Sequence, residues 1–371
     1  MKIGILSLIL NTNYGGILQS YALQTVLERM GHQVKLIDRQ FIPEIAIRER
    51  FLDVPKRFIQ RYLFRRTIDV FPPQHYAHLQ YVEKSTETRN FIFRHIKIYH
   101  CKTLNRISPK TFDTIVVGSD QVWRPAYFSC WGNIQDAFLN FAKKWNIRRI
   151  SYAASFGTDE CEYSTKQMSE ISHLIQLFDD ISVREESGKV LCKKLFNAEA
   201  SFVLDPTLLL ERQEYERLIE SRETPAIDGT LLNYILDDNR ETDKLIHRVS
   251  EDKGLIPFRI NDSESLASNV RRKPVEYWLK AFRDAEFIVT DSFHACVFSV
   301  IFHKPFICIG NKSRGLSRFQ LFTEKLGMRY NIITSVEDYS PARNYAPTES
   351  VYQKLMYLRE QSEGFLKTSL T

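Results

Sequence analysis

Residues 286–310 read EFIVTDSFHACVFSVIFHKPFICIG, and the order of residue types in this stretch decides the fold. An apolar run at 287–289 gives way to Thr290, Asp291 and Ser292, which favour helix N-termini because a short side-chain oxygen accepts from a free backbone N–H. Residues 295–302 carry a buried helical pattern that stops at His303, Lys304 and Pro305, and a second apolar run, 306–309, ends in Gly310. Strand, capped helix and strand make a βαβ unit. Its ligand side lies beyond the carboxyl ends of the strands, where helix N-termini present free N–H groups. Ser292 and His294 stand at that mouth. A lone histidine is ordinarily a packing residue; the position at a strand end, opening a helix, marks His294 as a candidate acid.

The same grammar runs along the chain. An apolar strand at 2–10 leads through the loop NTNYGG (11–16) into a helix over 17–30 that closes at Gly31, and 34–38 is the next strand. NTNYGG is not the GxGxxG fingerprint, so it gives little support to a nicotinamide cofactor. Its glycines suit either a backbone that approaches a ligand or a plain strand-to-helix turn. Strands at 112–118, 150–154, 181–183 and 201–203 each end in polar residues at one inferred edge, as in the crevice of an open α/β sheet. Past Leu210 the alternation restarts: strands at 229–236 and 256–260, helices at 240–253 and 275–285, the unit around His294, a strand at 331–333 and a terminal helix over 350–361. The expected class is α/β, with two Rossmann-like domains facing across a cleft, 1–210 and 211–371.

With 371 residues, 43% of them hydrophobic and 26% charged, the chain is long enough for two cores. A formal charge of +6 suits an anionic substrate or membrane surface and is too mild to point to nucleic acid. The six cysteines (101, 130, 161, 192, 296 and 308) form no CxxC pair and no zinc-type cluster, so they read as reduced packing residues, and no metal or cofactor is expected. The segment 3–10 is too short and wrongly flanked for a signal peptide, and no run approaches a spanning helix; a cytoplasmic location is expected. From 41 to about 104 the pattern is helical, aromatic and basic, densest in arginine over 48–66. That reads either as an insertion that docks peripherally on an anionic bilayer or as a cap helix with solvated arginines.

Six segments carry a resemblance: NYGGILQSYALQ (13–24), TFDTIVVGSDQVW (111–123), SYAASFG (151–157), ISVREES (181–187), VLDPTLLL (203–210) and VTDSFHACVFSVIFHKPF (289–306). In this order and spacing they resemble the polysaccharide pyruvyl transferase family. The resemblance implies a fold similar to the GT-B architecture of two-domain glycosyltransferases. It also implies transfer of a pyruvyl group from phosphoenolpyruvate to two hydroxyls of a sugar, giving a cyclic ketal. The donor is then a substrate, and the acceptor a glycan precursor, lipid-linked at the inner face of the membrane. It places the general acid at His294 and a donor-binding arginine at Arg184. Many relatives carry Arg-Leu-His where this chain has Ser292, Phe293 and His294. The serine removes a cation beside the acid, and Arg314 and Arg318 are the candidates to replace it at the donor. Ala295 stands where a glycine is common.

On the acceptor side, Asn13, Tyr14, Gly15 and Gly16 are placed in the cleft, with Gln19 on the first helical turn. Ser119, Asp120 and Trp123 follow a strand, with Asp120 available to a sugar hydroxyl and Trp123 either stacked on a sugar or filling the core. Ser155 ends another strand. Asp291 orients His294 or caps its helix, and Asp205 with Pro206 reads as a structural junction. Two further functions fit the same architecture: a glycosyltransferase using a nucleotide sugar, and a non-catalytic sugar-binding protein of glycan assembly.

Overall fold

The computed structural model describes residues 1–39, 73–128, 132–260, 271–310, 319 and 321–371. The first sheet contains β1 (Lys2–Leu6), β2 (Gln33–Asp38), β3 (Ile98–His100), β4 (Thr114–Val117), β5 (Arg148–Ala154), β6 (Asp180–Val183) and β7 (Ser201–Phe202), in spatial order β3-β2-β1-β4-β5-β6-β7. The second contains β8 (Leu231–Tyr234), β9 (Pro257–Phe258), β10 (Phe287–Thr290), β11 (Phe306–Ile309) and β12 (Ile332–Ile333), in order β12-β11-β10-β8-β9. Every pairing is parallel, so all carboxyl ends of a sheet lie on one edge. The inner strands β4, β8, β10 and β11 are buried along their whole length, as strands covered on both faces are.

In each sheet the chain winds one way and then resumes on the other side of its first strand. The order therefore reverses between β1 and β4 and again between β8 and β10. Such switch points open a crevice at the carboxyl edge. One continuous apolar core joins the two units. Tyr14 stacks on Trp278 with ring centroids 5.5 Å apart, and Tyr14 Oη donates to the Lys273 carbonyl at 2.8 Å. Trp278 packs in turn on Phe282 and Phe298.

Several expectations shift. The first helix runs Tyr14–Arg29, three residues earlier than expected, because Asn13 caps it by accepting from Gly16 N at 3.3 Å and both loop glycines become helical. The first strand stops at Leu6. The segment expected to be helical throughout 41–104 contributes helix Pro73–His95 and then the edge strand β3, paired with β2. Its most basic part, 48–66, lies outside the described residues. Helix Pro73–His95 reaches across to the second unit through Glu87, which pairs with Arg222 (2.6 Å) and Arg271 (2.5 Å), and through Arg94, which pairs with Glu276 (2.5 Å).

The terminal helix is longer than expected, Glu349–Ser369, and leaves the second unit for the first. Tyr352 lies against His303, whereas Ser362 Oγ accepts from Leu204 N at 2.9 Å and the Ser369 carbonyl accepts from Arg148. Its last turns thus belong with the first sheet rather than with residues 211–348.

Candidate active site

His294 sits on the first turn of helix Phe293–Ile301, directly after β10. The strand exit is held by Thr290 Oγ1, which accepts from Ser292 N at 3.0 Å and donates to the Tyr234 carbonyl at 2.6 Å. Asp291 accepts from the backbone N–H groups of Leu236 (2.8 Å) and Asp237 (2.9 Å). It therefore ties the exit of β10 to that of β8. Capping, one of the two roles expected of it, does not hold: Ser292 is the N-cap residue, without a side-chain capping bond.

From this turn the imidazole crosses the cleft. Nε2 lies 3.7 Å from Asp205 Oδ2, and a Cβ built on Gly15 would fall 2.2 Å from Nδ1. Gly15 and Asp205 both come from the first unit, so the site is complete only with the two units together. The bare Gly15 backbone is what lets the ring approach the start of helix Tyr14–Arg29.

Asp205 is fully buried and is the hub of the site. Its carboxylate accepts from Gln19 Nε2 (2.5 Å), Arg184 Nη1 (3.0 Å), Thr207 N (3.1 Å) and Thr207 Oγ1 (2.6 Å). Burial works to raise its pKa, but His294, Arg184 and Thr207 outweigh it and hold the carboxyl well below the usual carboxylate range. Reading Asp205 as a mere junction missed this. Only its place after a strand, at the edge already populated by polar residues, signalled it.

Arg184 follows β6, is 4% exposed, and donates through Nε to Glu185 (3.0 Å) as well as to Asp205. Its guanidinium lies 4.5 Å from the centroid of Phe293, on the second unit. Burial opposes its charge, yet Glu185, Asp205 and Asp120 hold its pKa above the ordinary arginine value. Nη2 makes no hydrogen bond among the described residues and is the atom left for a ligand.

After β4, the backbone of Gly118 (φ 144°) passes where a Cβ would lie 1.9 Å from the Tyr152 carbonyl oxygen, which presents Ser119 and Asp120 at the crevice. Asp120 adopts φ 63°, a left-handed conformation that Asp tolerates better than most residues, and accepts from Asn13 Nδ2 at 3.5 Å.

Other acceptor candidates are internal. Gln19 is on the second helical turn and is spent on Asp205 and on Ser119 Oγ (3.0 Å). Ser119 also donates to the Ala153 carbonyl, and Ser155 donates to Glu185 at 2.8 Å. Tyr14 joins the two units. Trp123 is wholly buried, stacked on Phe138 at 5.0 Å with its indole N–H donated to the Ala137 carbonyl, so a sugar cannot lie on it. Gly16 is a buried helical residue.

A cavity of about 430 Å³ opens at this place, and its walls include Asn13, Tyr14, Gly15, Asp120, Arg184, Ser292 and His294. Arg124, Tyr127 and Arg272, which sequence reading did not pick out, also line it. Arg272 is nearly buried and borders the cavity together with Ser292. Arg314 and Arg318 lie outside the described residues. Among the described residues, no three His, Cys, Asp or Glu side chains converge as metal ligands would, and no helix is long and apolar enough to cross a membrane.

Residues 13–313 match the model of a family described as polysaccharide pyruvyl transferase. No curated protein matches the chain. Among solved structures it is similar to Staphylococcus aureus MnaA bound to UDP, at 11% identity, covering 98% of this chain and 91% of that one with a TM-score of 0.48. A UDP-GlcNAc 2-epimerase from Methanocaldococcus jannaschii shares 12% identity over 97% and 92% of the two chains, TM-score 0.46. Arabidopsis thaliana UGT89C1 complexed with quercetin shares 10% over 97% and 94%, TM-score 0.44.

Proposed function

The chain belongs to the polysaccharide pyruvyl transferase family, and from that premise we propose that it moves the pyruvyl unit of phosphoenolpyruvate onto two hydroxyls of one sugar in a polysaccharide precursor, as a cyclic ketal, with release of phosphate. The observation that carries this reading is the position of His294: it lines the cavity and faces the buried Asp205 carboxylate, whose same oxygen is bonded by the buried Arg184.

The chemistry follows from those groups. Protonated His294 delivers its proton to the methylene carbon of the enol phosphate, and positive character develops at the adjacent carbon. The Asp205 carboxylate stabilises the imidazolium before transfer and keeps its orientation. A first sugar hydroxyl adds to the electron-poor carbon and gives up its proton to Asp120, which lines the same cavity. Phosphate then leaves with the bonding pair of its C–O bond. The second hydroxyl adds to the same carbon to close the ketal. Of the two hydroxyl protons, one replaces that spent by His294 and the other departs with phosphate, so the acid is regenerated.

Arg184 Nη2 meets the donor's negative charge, with Ser292 as a neutral hydroxyl partner. Arg272 supplies, within the described cavity, a cation of the kind that position 292 lacks. Arg314 and Arg318 remain donor candidates. The reaction proceeds without a metal because arginines do the charge work. The acceptor is lipid-linked and met at the cytoplasmic face.

Thermal denaturation with candidate donors tests the reading. A ligand that binds only the folded state raises Tm. Phosphoenolpyruvate is expected to do so and UDP-sugars are not; the reverse pattern would replace pyruvyl transfer by glycosyl transfer.

A further inference from the structure

The cavity is chemically divided. Arg184 and His294 are 4% and 14% exposed, whereas Tyr127, which lines the same cavity, is 46% exposed and so stands at its mouth. Tyr127 belongs to the single turn Pro125–Phe128. The neighbouring Phe128 is fully buried and lies under the Arg39 guanidinium at 4.6 Å, which pins the turn and leaves Tyr127 outward.

Arg124 braces the ring, with its guanidinium 5.1 Å from the Tyr127 centroid. It is not an anion clamp. Nε and Nη2 donate to the Glu162 carboxylate at 2.8–3.2 Å, and Nη1 donates to Gln121 Oε1 at 3.0 Å. The mouth is therefore a held aromatic face beside a charge-neutral pair, a few residues from Asp120. An aromatic face of this kind fits the C–H face of a sugar ring, and a neutralised arginine does not favour an anionic ligand.

Building on the pyruvyl-transfer reading, we infer that Tyr127 is the platform for the acceptor sugar, and that the acceptor unit placed there is an uncharged hexopyranose. It takes the part that the buried Trp123 cannot play. The ring lies on Tyr127 with its hydroxyl edge toward Asp120 and His294.

Saturation-transfer NMR with the methyl glucopyranosides, galactopyranosides and mannopyranosides, recorded with phosphoenolpyruvate present, tests this on the whole chain. At least one is expected to bind wild type; Tyr127→Ala should weaken it about tenfold, the value of a stacked aromatic contact, and Tyr127→Phe should retain it. The melting temperature and the stabilisation by phosphoenolpyruvate should be unchanged in both variants. Wild-type affinity in Tyr127→Ala, or no binding of any of these sugars to wild type, overturns the inference. Tyr127-dependent sugar binding without any phosphate release leaves the platform standing and sinks pyruvyl transfer alone.

Discussion

The imidazole of His294 rests against Gly15 so closely that a methyl group on that residue would fall 2.2 Å from Nδ1, although the two residues belong to different halves of the chain. Two switch-point crevices, one per sheet, meet at this contact. The second unit supplies the imidazole, and the first supplies the carboxylate that faces it.

Gly15→Ala should therefore disable the enzyme without unfolding it. The position is helical and its φ is ordinary, so alanine favours the local backbone by roughly 0.5–1 kcal/mol. The clash is with a side chain that can swing aside, away from Asp205. Expected are an unchanged or slightly raised Tm and a loss of kcat of about tenfold or more. Wild-type turnover in this variant would mean that the observed ring position is not the working one.

Asp205→Asn should separate placement from binding. It keeps the shape of the side chain but removes the anion facing His294, so kcat should fall by about 10- to 100-fold while KM for phosphoenolpyruvate changes little. An equal rise in KM, with kcat intact, would reassign Asp205 to the donor site.

The same substitution has a pH signature. The Asp205 carboxyl is held below its unfolded value, so its contribution to stability is fully present above about pH 4 and is lost as pH falls further, through the folded pKa. At neutral pH, Asp205→Asn should cost on the order of 3 kcal/mol, the penalty for breaking a buried charge network. Urea denaturation should show the gap between wild type and variant narrowing below about pH 4. A gap that is constant down to strong acid would show that packing, not charge, is responsible.

How much of this was legible depended on distance along the chain. The unit around His294 was readable because its signals are local: capping residues, an apolar helix and a proline stop within 25 residues. Tyr14–Arg29 was nearly so, but glycines at 15 and 16 looked like a loop until Asn13 proved to be the cap. Asp205 was undervalued because its partners, Gln19, Arg184 and His294, are brought to it by strand order alone. Trp123 and Tyr127 are four residues apart, the first in the loop after β4 and the second in the turn Pro125–Phe128, and nothing in their types tells which ring the core takes. The terminal helix crosses back through contacts such as Ser362 with Leu204, beyond the reach of periodicity.

Arg184→Lys tests the donor contact. Lysine keeps the charge but loses the planar fork that bonds Glu185 and Asp205 at once. Thermal stabilisation by phosphoenolpyruvate should disappear in this variant, and KM for the donor should rise about tenfold or more. Undiminished stabilisation would move the donor charge to Arg272 or to the arginines at 314 and 318.

Metal independence is checked by dialysis against EDTA followed by assay with and without added magnesium or manganese. Activity should be unchanged throughout; loss on chelation with recovery on adding a divalent ion would require a metal in the mechanism.

Phosphate release from phosphoenolpyruvate, measured across a panel of sugar acceptors with wild type and His294→Ala, tests the assignment of the acid. Release should depend on the acceptor and fall by about 100- to 10,000-fold in the variant, the usual worth of a general acid. Acceptor-dependent release that persists undiminished in His294→Ala would contradict the assignment of His294 as the acid.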